Sequence, residues 1–234
     1  AVARRGPHQV IFAPDLQTAG AIDLSTPEGQ RFRSHVVGLG YYDAASGRSV
    51  WIAQTQSSLA ELLPPQQLVY RDAFTGLRAD VRYTYSKARF EQEVILREQP
   101  PAPALFGLDP DSSRLEVLTE FLQPPAPRKH RQILKQERDP QRRLTRVEPD
   151  LVDEHLDFGT MTIGPGRAFR QEEDPRILPV PPPASVPVAK RWLQLEGRNF
   201  LIEAVEYPAL KPYLSALPKP VAQASPDHFR TLAT

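Results

Sequence analysis

Two pairs of glutamates have residue types and spacings that could perform acid–base chemistry on a sugar. Glu91 and Glu93 lie two residues apart, and Glu116 and Glu120 lie four residues apart. Both pairs fall in segments with strand character, so the members of each pair share one face. Glycoside hydrolysis needs two carboxyl groups that face each other across the bond to be cleaved. Because glutamates at strand spacing usually face solvent, we interpret both pairs as surface residues and predict no catalytic residue.

One dense group of side chains has metal-ligand chemistry: Asp153, Glu154, His155 and Asp157. An EF-hand calcium loop needs acids at alternate positions and a glycine at its sixth position, and that glycine is absent. The other histidines are scattered and are His8, His35, His130 and His228. We interpret the group as a charged loop that enters a strand, and the sequence predicts no metal ion and no cofactor.

Other kinds of active site are excluded by missing residues and motifs. The chain has no cysteine, which rules out a disulfide scaffold, a thiolate metal site and a cysteine nucleophile. It has no Gly-x-Ser-x-Gly elbow, no Gly-x-Gly-x-x-Gly and no Walker-type loop, so nothing indicates a hydrolase triad or a nucleotide site. The sequence therefore predicts a protein that is not an enzyme.

Aromatic residues form a candidate site for carbohydrate. Tyr41, Tyr42 and Trp51 belong to one predicted hairpin, and Trp192 belongs to another. Exposed rings on a sheet could stack on sugar rings, which makes a carbohydrate-binding module one alternative function. The other interpretation is that these large rings fill the core.

A basic segment supplies a further candidate site. Residues 128–150 contain eight Lys or Arg and four Asp or Glu. The candidate ligand residues in it are Arg128, Lys129, Arg131, Arg142 and Arg143. They could bind a polyanion, but no aromatic residue lies among them on which bases could stack, so we predict no nucleic-acid partner. We expect a solvated loop with one short helix near His130–Arg138 that ends before Pro140.

The charge of the whole chain gives no general basic field. Lys and Arg number 29, Asp and Glu number 28, and the formal charge is +1. No apolar run is long enough to span a membrane, so we predict no membrane insertion. The start Ala1-Val2-Ala3 resembles the end of a secretory signal. Together with the lack of cysteine, it favours an extracellular or cell-surface location in a bacterium.

The elements that would position these residues are short strands. In Leu77–Tyr85, apolar and polar residues alternate, which indicates a strand with one buried and one wet face. Turn residues separate similar runs into hairpins. The four predicted hairpins are His35–Tyr42 with Ser49–Thr55, Leu77–Tyr85 with Arg89–Arg97, Asp157–Ile163 with Ala168–Gln171, and Val186–Leu195 with Asn199–Tyr207. The series predicts an all-β fold, an antiparallel β-sandwich of about nine to ten strands with at most one short helix.

Proline marks the boundaries between regions. The 26 prolines are about 11% of the chain, against about 5% in average proteins. The predicted regions are a lead-in at 1–30 with one strand at Gln9–Phe12, a β-sandwich domain at 31–207 with a basic loop at 124–150 and a proline-rich loop at 172–185, and a linker or tail at 208–234.

Tyr70 and Asp72, followed by Gly76, Asp80 and Tyr83, form the pattern Tyr-x-Asp…Gly-x-x-x-Asp-x-x-Tyr. The stretches that accompany it are Phe90–Leu96 with Pro100-Pro101, Leu156–Gly159, Gly166–Phe169 and Val186–Trp192. Together they resemble a β-sandwich domain found N-terminal to Rhs/YD-repeat or parallel β-helix regions in large bacterial secreted proteins. The resemblance implies a non-catalytic structural module that acts in assembly or attachment. Its partners would be other protein domains or copies of itself, with polysaccharide or polyanion binding as alternatives.

Overall fold

The computed structural model describes residues 1–3, 8–87, 89–170 and 185–220. The predicted proline-rich loop lies outside these residues except for its last position, as does the end of the predicted tail. The described strands are β1 (Val2–Ala3), β2 (Gln9–Phe12), β3 (Ile22–Ser25), β4 (Arg31–Asp43), β5 (Ser49–Gln54), β6 (Ala60–Leu63), β7 (Gln67–Tyr70), β8 (Ala79–Tyr85), β9 (Phe90–Leu96), β10 (Ser113–Leu122), β11 (Arg128–Lys135), β12 (Leu151–Asp157), β13 (Thr162–Ile163), β14 (Gly166–Ala168), β15 (Val186–Leu195) and β16 (Arg198–Glu206). The helices are α1 (Pro140–Thr145), α2 (Tyr207–Leu214) and a 3-10 turn at Pro103–Phe106.

The strands form three antiparallel sheets. The main sheet has nine strands in the order β1-β2-β3-β4-β10-β16-β15-β14, and β5 pairs with the second half of β4. A four-stranded sheet has the order β6-β7-β8-β9, and a three-stranded sheet has the order β11-β12-β13. This architecture confirms the predicted all-β, antiparallel, sandwich-like fold.

The main sheet has one apolar face and one charged face at its centre. Because side chains alternate along each strand, β10 and its neighbours β4, β16 and β15 send different residues to the two faces. The apolar face carries Tyr41, Leu115, Val117, Trp192, Leu201 and Val205. The charged face carries Tyr42, Arg114, Glu116, Glu120 and Arg191.

The four-stranded sheet covers the apolar face and forms the second layer of the sandwich. Tyr83 of β8 packs against Phe12 of β2, with ring centroids 5.8 Å apart. Gln92 Nε2 of β9 donates a hydrogen bond to Thr119 Oγ1 of β10 at 2.9 Å. The hydrophobic core lies between these two layers.

The three-stranded sheet closes the edge of β15 through side chains. The backbone N–H of Lys190 donates to Asp153 Oδ1 at 2.8 Å. The backbone N–H of Trp192 donates to Glu154 Oε2 at 2.8 Å. Lys129 Nζ donates to the Trp192 carbonyl at 2.6 Å. These side chains satisfy backbone groups that a neighbouring strand would otherwise pair.

Three of the four predicted hairpins are confirmed: β4–β5, β8–β9 and β15–β16. The hairpin of Asp157–Ile163 with Ala168–Gln171 is wrong, because β13 pairs with β12 and β14 pairs with β15. The described residues also contain more than ten strands. The additional strands β1, β13 and β14 have two or three residues each, which is too few to show alternation in a sequence.

The described residues of the predicted lead-in, 1–3 and 8–30, belong to the sandwich, so the prediction of a separate lead-in is wrong. β2 has the predicted bounds, but β1 and β3 flank it in the main sheet. Val10 and Ile22 are buried in the core. The sequence showed only one of these strands because turn residues surround the short run Ile22–Ser25.

The basic segment is a strand and a helix, so the predicted loop is wrong. β11 occupies the position of the expected helix, and α1 begins at Pro140, the residue expected to end one. Asp139 explains this helix start, because its Oδ1 accepts hydrogen bonds from the backbone N–H groups of Gln141 and Arg142 at 2.8 and 3.3 Å. Proline suits the first helical turn, where its missing N–H would have no partner.

The helix α2 lies in the predicted linker, so the sandwich has a second short helix and its packed part extends beyond 207. Pro208 lies in the first turn of α2, and Leu210 and Leu214 are buried. The backbone N–H of Gln99 donates to the Pro218 carbonyl at 2.9 Å, which attaches the chain after α2 to the sandwich.

Candidate functional site

An open groove of about 410 Å³ lies on the apolar face of the main sheet, between β9 and α2. We call it the α2 groove. Its floor is formed by Leu39, Leu115, Val117, Val188 and Val205. Its walls include Val94 and Leu96 of β9, and Leu210, Leu214 and Leu217 in or just after α2. Its volume and apolar lining are typical of ligand-binding sites.

β9 turns one edge toward the α2 groove. Five consecutive residues, Gln92–Leu96, line the groove, whereas a strand that faced it would present only every second residue. Within the described residues, β9 pairs with β8 only.

Glu203 places a carboxyl group in the lining of the α2 groove. The alternation of β16 sends it to the apolar face, between Leu201 and Val205. Its side chain is half-buried, and no described residue forms a hydrogen bond or ion pair with it. Burial raises the pKa of Glu203 to about 7, although the Lys190 ammonium on the neighbouring strand opposes this shift.

The other charged groups that line the α2 groove have partners. Arg82 Nε lies 2.8 Å from Glu93 Oε2, and Arg170 also has an interaction partner. The Tyr83 hydroxyl donates to Gln92 Oε1 at 3.1 Å. Glu203 is thus the charged group of the described lining that a ligand could pair with.

A second cleft, of about 380 Å³, lies on the charged face. Glu148 joins two arginines there, with Oε2 2.9 Å from Arg114 Nη1 and Oε1 2.6 Å from Arg191 Nη1. The Tyr42 ring centroid lies 5.8 and 5.2 Å from the Arg114 and Arg191 guanidinium carbons. Glu116 Oε1 lies 3.6 Å from Arg191 Nη2, and burial raises the pKa of Glu116 to about 7. We call this site the charged cleft.

The two glutamates whose pKa is raised to about 7 lie on opposite faces of one sheet. Glu203 is paired in register with Val117, the residue next to Glu116. Neighbouring residues of a strand point in opposite directions, so Glu116 lines the charged cleft and Glu203 lines the α2 groove. The two carboxyl groups cannot act on the same bond.

The predicted aromatic platform is wrong. Tyr41, Tyr42 and Trp192 are only 0%, 6% and 6% exposed, so their rings pack inside the protein. Trp51 is half-buried and packs over Gly38, where an added Cβ would lie 2.8 Å from Trp51 Cζ3. The core interpretation of these residues explains their positions, because large rings fill the space between layers.

Each of the five candidate cations lies within 4 Å of an acid. The pairs are Arg128 with Asp157 at 3.0 Å, Lys129 with Glu154 at 3.4 Å, Arg131 with Glu154 at 3.2 Å, Arg142 with Asp139 at 3.9 Å, and Arg143 with Asp150 at 2.8 Å. Two of the partners, Glu154 and Asp157, lie outside the segment 128–150. The local excess of positive charge seen in the sequence is therefore reduced by acids on the neighbouring strand β12.

The surface interpretation is wrong for one glutamate pair. Glu116 and Glu120 are only 3% and 6% exposed. Arg198 binds Glu120 through two hydrogen bonds of 2.7 and 2.6 Å, and this contact lowers the pKa of Glu120. Glu91 and Glu93 are half-buried, and Glu91 Oε1 lies 3.3 Å from Arg89 Nη1.

The acids of the candidate metal-ligand group, Asp153, Glu154 and Asp157, each make a separate structural contact. Asp153 and Glu154 bind the edge of β15, and Asp157 accepts a hydrogen bond from the backbone N–H of Gly159 at 2.7 Å. Among the described residues, no three His, Asp or Glu side chains converge on a point where a metal ion could bind.

The sequence reasoning missed the α2 groove and Glu203. A signal was present, because Leu201, Glu203 and Val205 occupy alternate positions of a predicted strand. An acid in an otherwise apolar row marks a polar group on a buried face. Lys190, between Val188 and Trp192, shows the same pattern, and its Nζ binds Asp153 at 2.7 Å.

Comparisons of the chain with protein-family models, curated proteins and solved structures give no significant match. In the part of the chain that the structure describes, no helix has the length and apolar character needed to cross a membrane.

Proposed function

We propose that the chain is a non-catalytic interaction module that binds an apolar segment of a partner protein in the α2 groove. The groove itself carries the proposal, because apolar side chains from both layers of the sandwich and from α2 line one open cavity. Concave, mostly apolar cavities of this size are the usual binding sites on proteins.

The placement of the charged groups supports a role without catalysis. In the charged cleft, Arg114 and Arg191 bind Glu148 and so attach the segment before β12 to the main sheet. Glycoside hydrolysis needs two carboxyl groups that reach one bond. Glu116 and Glu203, which have the raised pKa values, lie on opposite faces.

The resemblance to bacterial secreted proteins extends the proposal. On this basis the module belongs to a secreted or cell-surface bacterial protein, where it acts in assembly or attachment. Its partner would be another protein domain or a second copy of the same protein.

The test uses 1-hexanol as an apolar probe and follows the methyl groups of Val117, Val205, Leu210 and Leu214 by NMR. We expect saturable shifts of these groove methyls at millimolar probe, because small apolar ligands bind such sites weakly. Ala216→Trp should abolish the shifts, since Ala216 is exposed and lines the groove.

Ser215→Trp is the matched control, because Ser215 is exposed on the same segment but does not line the groove. Shifts that persist in Ala216→Trp, or that are equal in methyls throughout the core, would contradict the proposal.

A further inference from the structure

The carboxyl group of Glu203 belongs to a set of three charged groups that does not balance. Lys190 lies directly opposite Glu203 in the β15–β16 pair, so both side chains start from the same face of the main sheet. Lys190 is only 1% exposed, and its Nζ lies 2.7 Å from Asp153 Oδ1 on β12. Two acids therefore share one ammonium group.

Asp153 holds this ammonium group more closely than Glu203 does. Asp153 Oδ1 also accepts a hydrogen bond from the backbone N–H of Lys190 at 2.8 Å, so two donors of one residue bind the same oxygen. No described residue forms an ion pair with Glu203, although the Lys190 charge acts to lower its pKa. When Glu203 ionises, the described residues therefore leave its negative charge without a counterion.

The α2 groove surrounds this charge with apolar side chains. Val117 and Val205 belong to its floor, and Leu210 and Leu214 belong to its wall. Such surroundings hydrate a carboxylate poorly, which is why burial raises the pKa of Glu203. A ligand that brought only apolar atoms would remove more water from the carboxylate, whereas a ligand that also brought a cation would stabilise it.

The cation that suits this site is one carried on an apolar stem. Lysine and arginine side chains have such a stem, which can lie along apolar walls while the charged group reaches a carboxylate. An acid would be repelled by Glu203. The other charged groups of the lining do not compete for this cation, because Arg82 and Glu93 pair with each other at 2.8 Å.

We infer that the α2 groove recognises a lysine or arginine side chain in the apolar segment of the partner protein, and that its cation pairs with Glu203. This inference rests on the proposed function and specifies one side chain of its ligand. The contact is made between side chains, so it sets no condition on the backbone conformation of the partner.

The experiment compares 1-hexanol, hexylammonium and hexanoate, which have the same alkyl chain and differ in the charge of the head group. NMR shifts of the methyl groups of Val117, Val205, Leu210 and Leu214 give the three affinities at pH 8.5, where Glu203 is ionised. We expect hexylammonium to bind about 10-fold more tightly than 1-hexanol, and hexanoate to bind most weakly.

The titration of the Glu203 carboxyl carbon gives a second readout in the unchanged protein. Bound hexylammonium should lower the pKa of Glu203 below about 7, whereas bound 1-hexanol should raise it, because one ligand stabilises the carboxylate and the other only removes water. The other charged or titratable groups around the groove are Lys190 on β15, Tyr83 and Arg82 on β8, Glu93 on β9, Arg170 after β14, and Tyr213 on α2. The readout follows Glu203 itself, which separates its titration from theirs.

Glu203→Gln keeps the shape of the side chain and removes its charge, so this variant should bind hexylammonium no more tightly than 1-hexanol. Glu196→Gln is the matched control, because Glu196 is an exposed glutamate in the turn before β16 and does not line the groove. It should keep the full preference for hexylammonium.

A pair of peptides tests whether a protein side chain can supply the cation. Ac-Leu-Lys-Leu-amide should bind about 10-fold more tightly than its norleucine analogue at pH 8.5, and it should displace hexylammonium from the groove. The preference for the Lys peptide should be lost in Glu203→Gln.

The inference would be overturned by a pKa of Glu203 that does not fall with hexylammonium, by a preference for hexylammonium that persists in Glu203→Gln, or by equal binding of the two peptides. If 1-hexanol still shifts the groove methyls in any of these cases, the apolar site of the proposed function remains. If none of the probes binds, the proposed function fails as well.

Discussion

Glu116 and Glu203 lie on adjacent strands of one sheet, and burial raises the pKa of each to about 7, yet their surroundings differ. Glu116 lies in a cleft where Arg114, Arg191 and Glu148 form a connected set of charges. Glu203 lies in an apolar groove and has no described partner. Burial of a glutamate therefore accompanies a connected set of charges on one face and an apolar lining on the other.

Two adjacent tyrosines of β4 show the same contrast. Tyr42 on the charged face contacts two arginine side chains. Tyr41 on the apolar face packs against Tyr207, with ring centroids 5.7 Å apart, and its buried hydroxyl has no hydrogen-bond partner among the described residues. Burial raises the pKa of the Tyr41 hydroxyl far above its usual range, so it stays neutral. The ring of Tyr41 thus fills apolar space, whereas the ring of Tyr42 belongs to a set of charged contacts.

The largest effect should come from breaking the charged cleft. Arg114→Met removes one of the two arginine partners of Glu148 and leaves the Glu148 and Asp150 carbonyls without the hydrogen bonds that Arg114 Nη2 donates at 3.0 and 2.9 Å. We expect the free energy of unfolding to fall by about 2–4 kcal/mol, because Glu148 keeps Arg191 but the two carbonyls lose their charged donor. Urea denaturation at neutral pH measures this change.

Arg142→Met is the control for this prediction, because Arg142 lies on the exposed helix α1, 3.9 Å from Asp139. Its loss should change the free energy of unfolding by less than about 0.5 kcal/mol. Equal effects of the two substitutions would show that the charged cleft does not join the layers.

The pH dependence of stability should follow Glu116. Its folded pKa is raised, so its favourable contribution is complete below the unfolded value and is lost as the pH rises through about 7. Glu116→Gln should therefore gain about 1–3 kcal/mol relative to the unchanged protein between pH 5 and pH 8. Thermal unfolding at several pH values measures the difference, and a constant difference across this range would disprove the assignment.

The smallest effect should come from Tyr41. Tyr41→Phe removes a buried hydroxyl that no described residue hydrogen-bonds, so the free energy of unfolding should stay constant or rise by up to about 1 kcal/mol. Tyr42→Leu, at the next position, should lower it by about 1–2 kcal/mol because two cation–π contacts are lost. Denaturant unfolding of the two variants gives the comparison, and destabilisation by Tyr41→Phe would contradict it.

The sequence was sufficient to predict the fold class because alternation along single strands carries that information. The segment Leu77–Tyr85 alternates, and its apolar residues Ala79, Val81 and Tyr83 are buried in the core. The hairpins joined by short turns were also predictable, since their pairing is local in sequence.

The candidate sites could not be predicted, because alternation does not show what covers each face. Glu116 alternates as a surface residue would, and the segment around Glu148 that covers it is distant in sequence. The cations of β11 find their acids on β12, beyond the helix α1. Glu203 alternates with apolar residues in its strand, but the groove beside it depends on α2, which contains Pro208 and Pro212, two of the prolines that indicated a linker.

The edge of β15 is joined to the three-stranded sheet by the side chains of Asp153, Glu154 and Lys129, not by a ladder of backbone bonds. The hydrogen bonds of a backbone ladder form whatever side chains the strands carry, whereas this contact between sheets depends on the identity of three side chains. Single substitutions there can loosen or re-aim one sheet against the other while both keep their own strand pairing. The relative placement of the two sheets therefore depends on the identity of a few side chains.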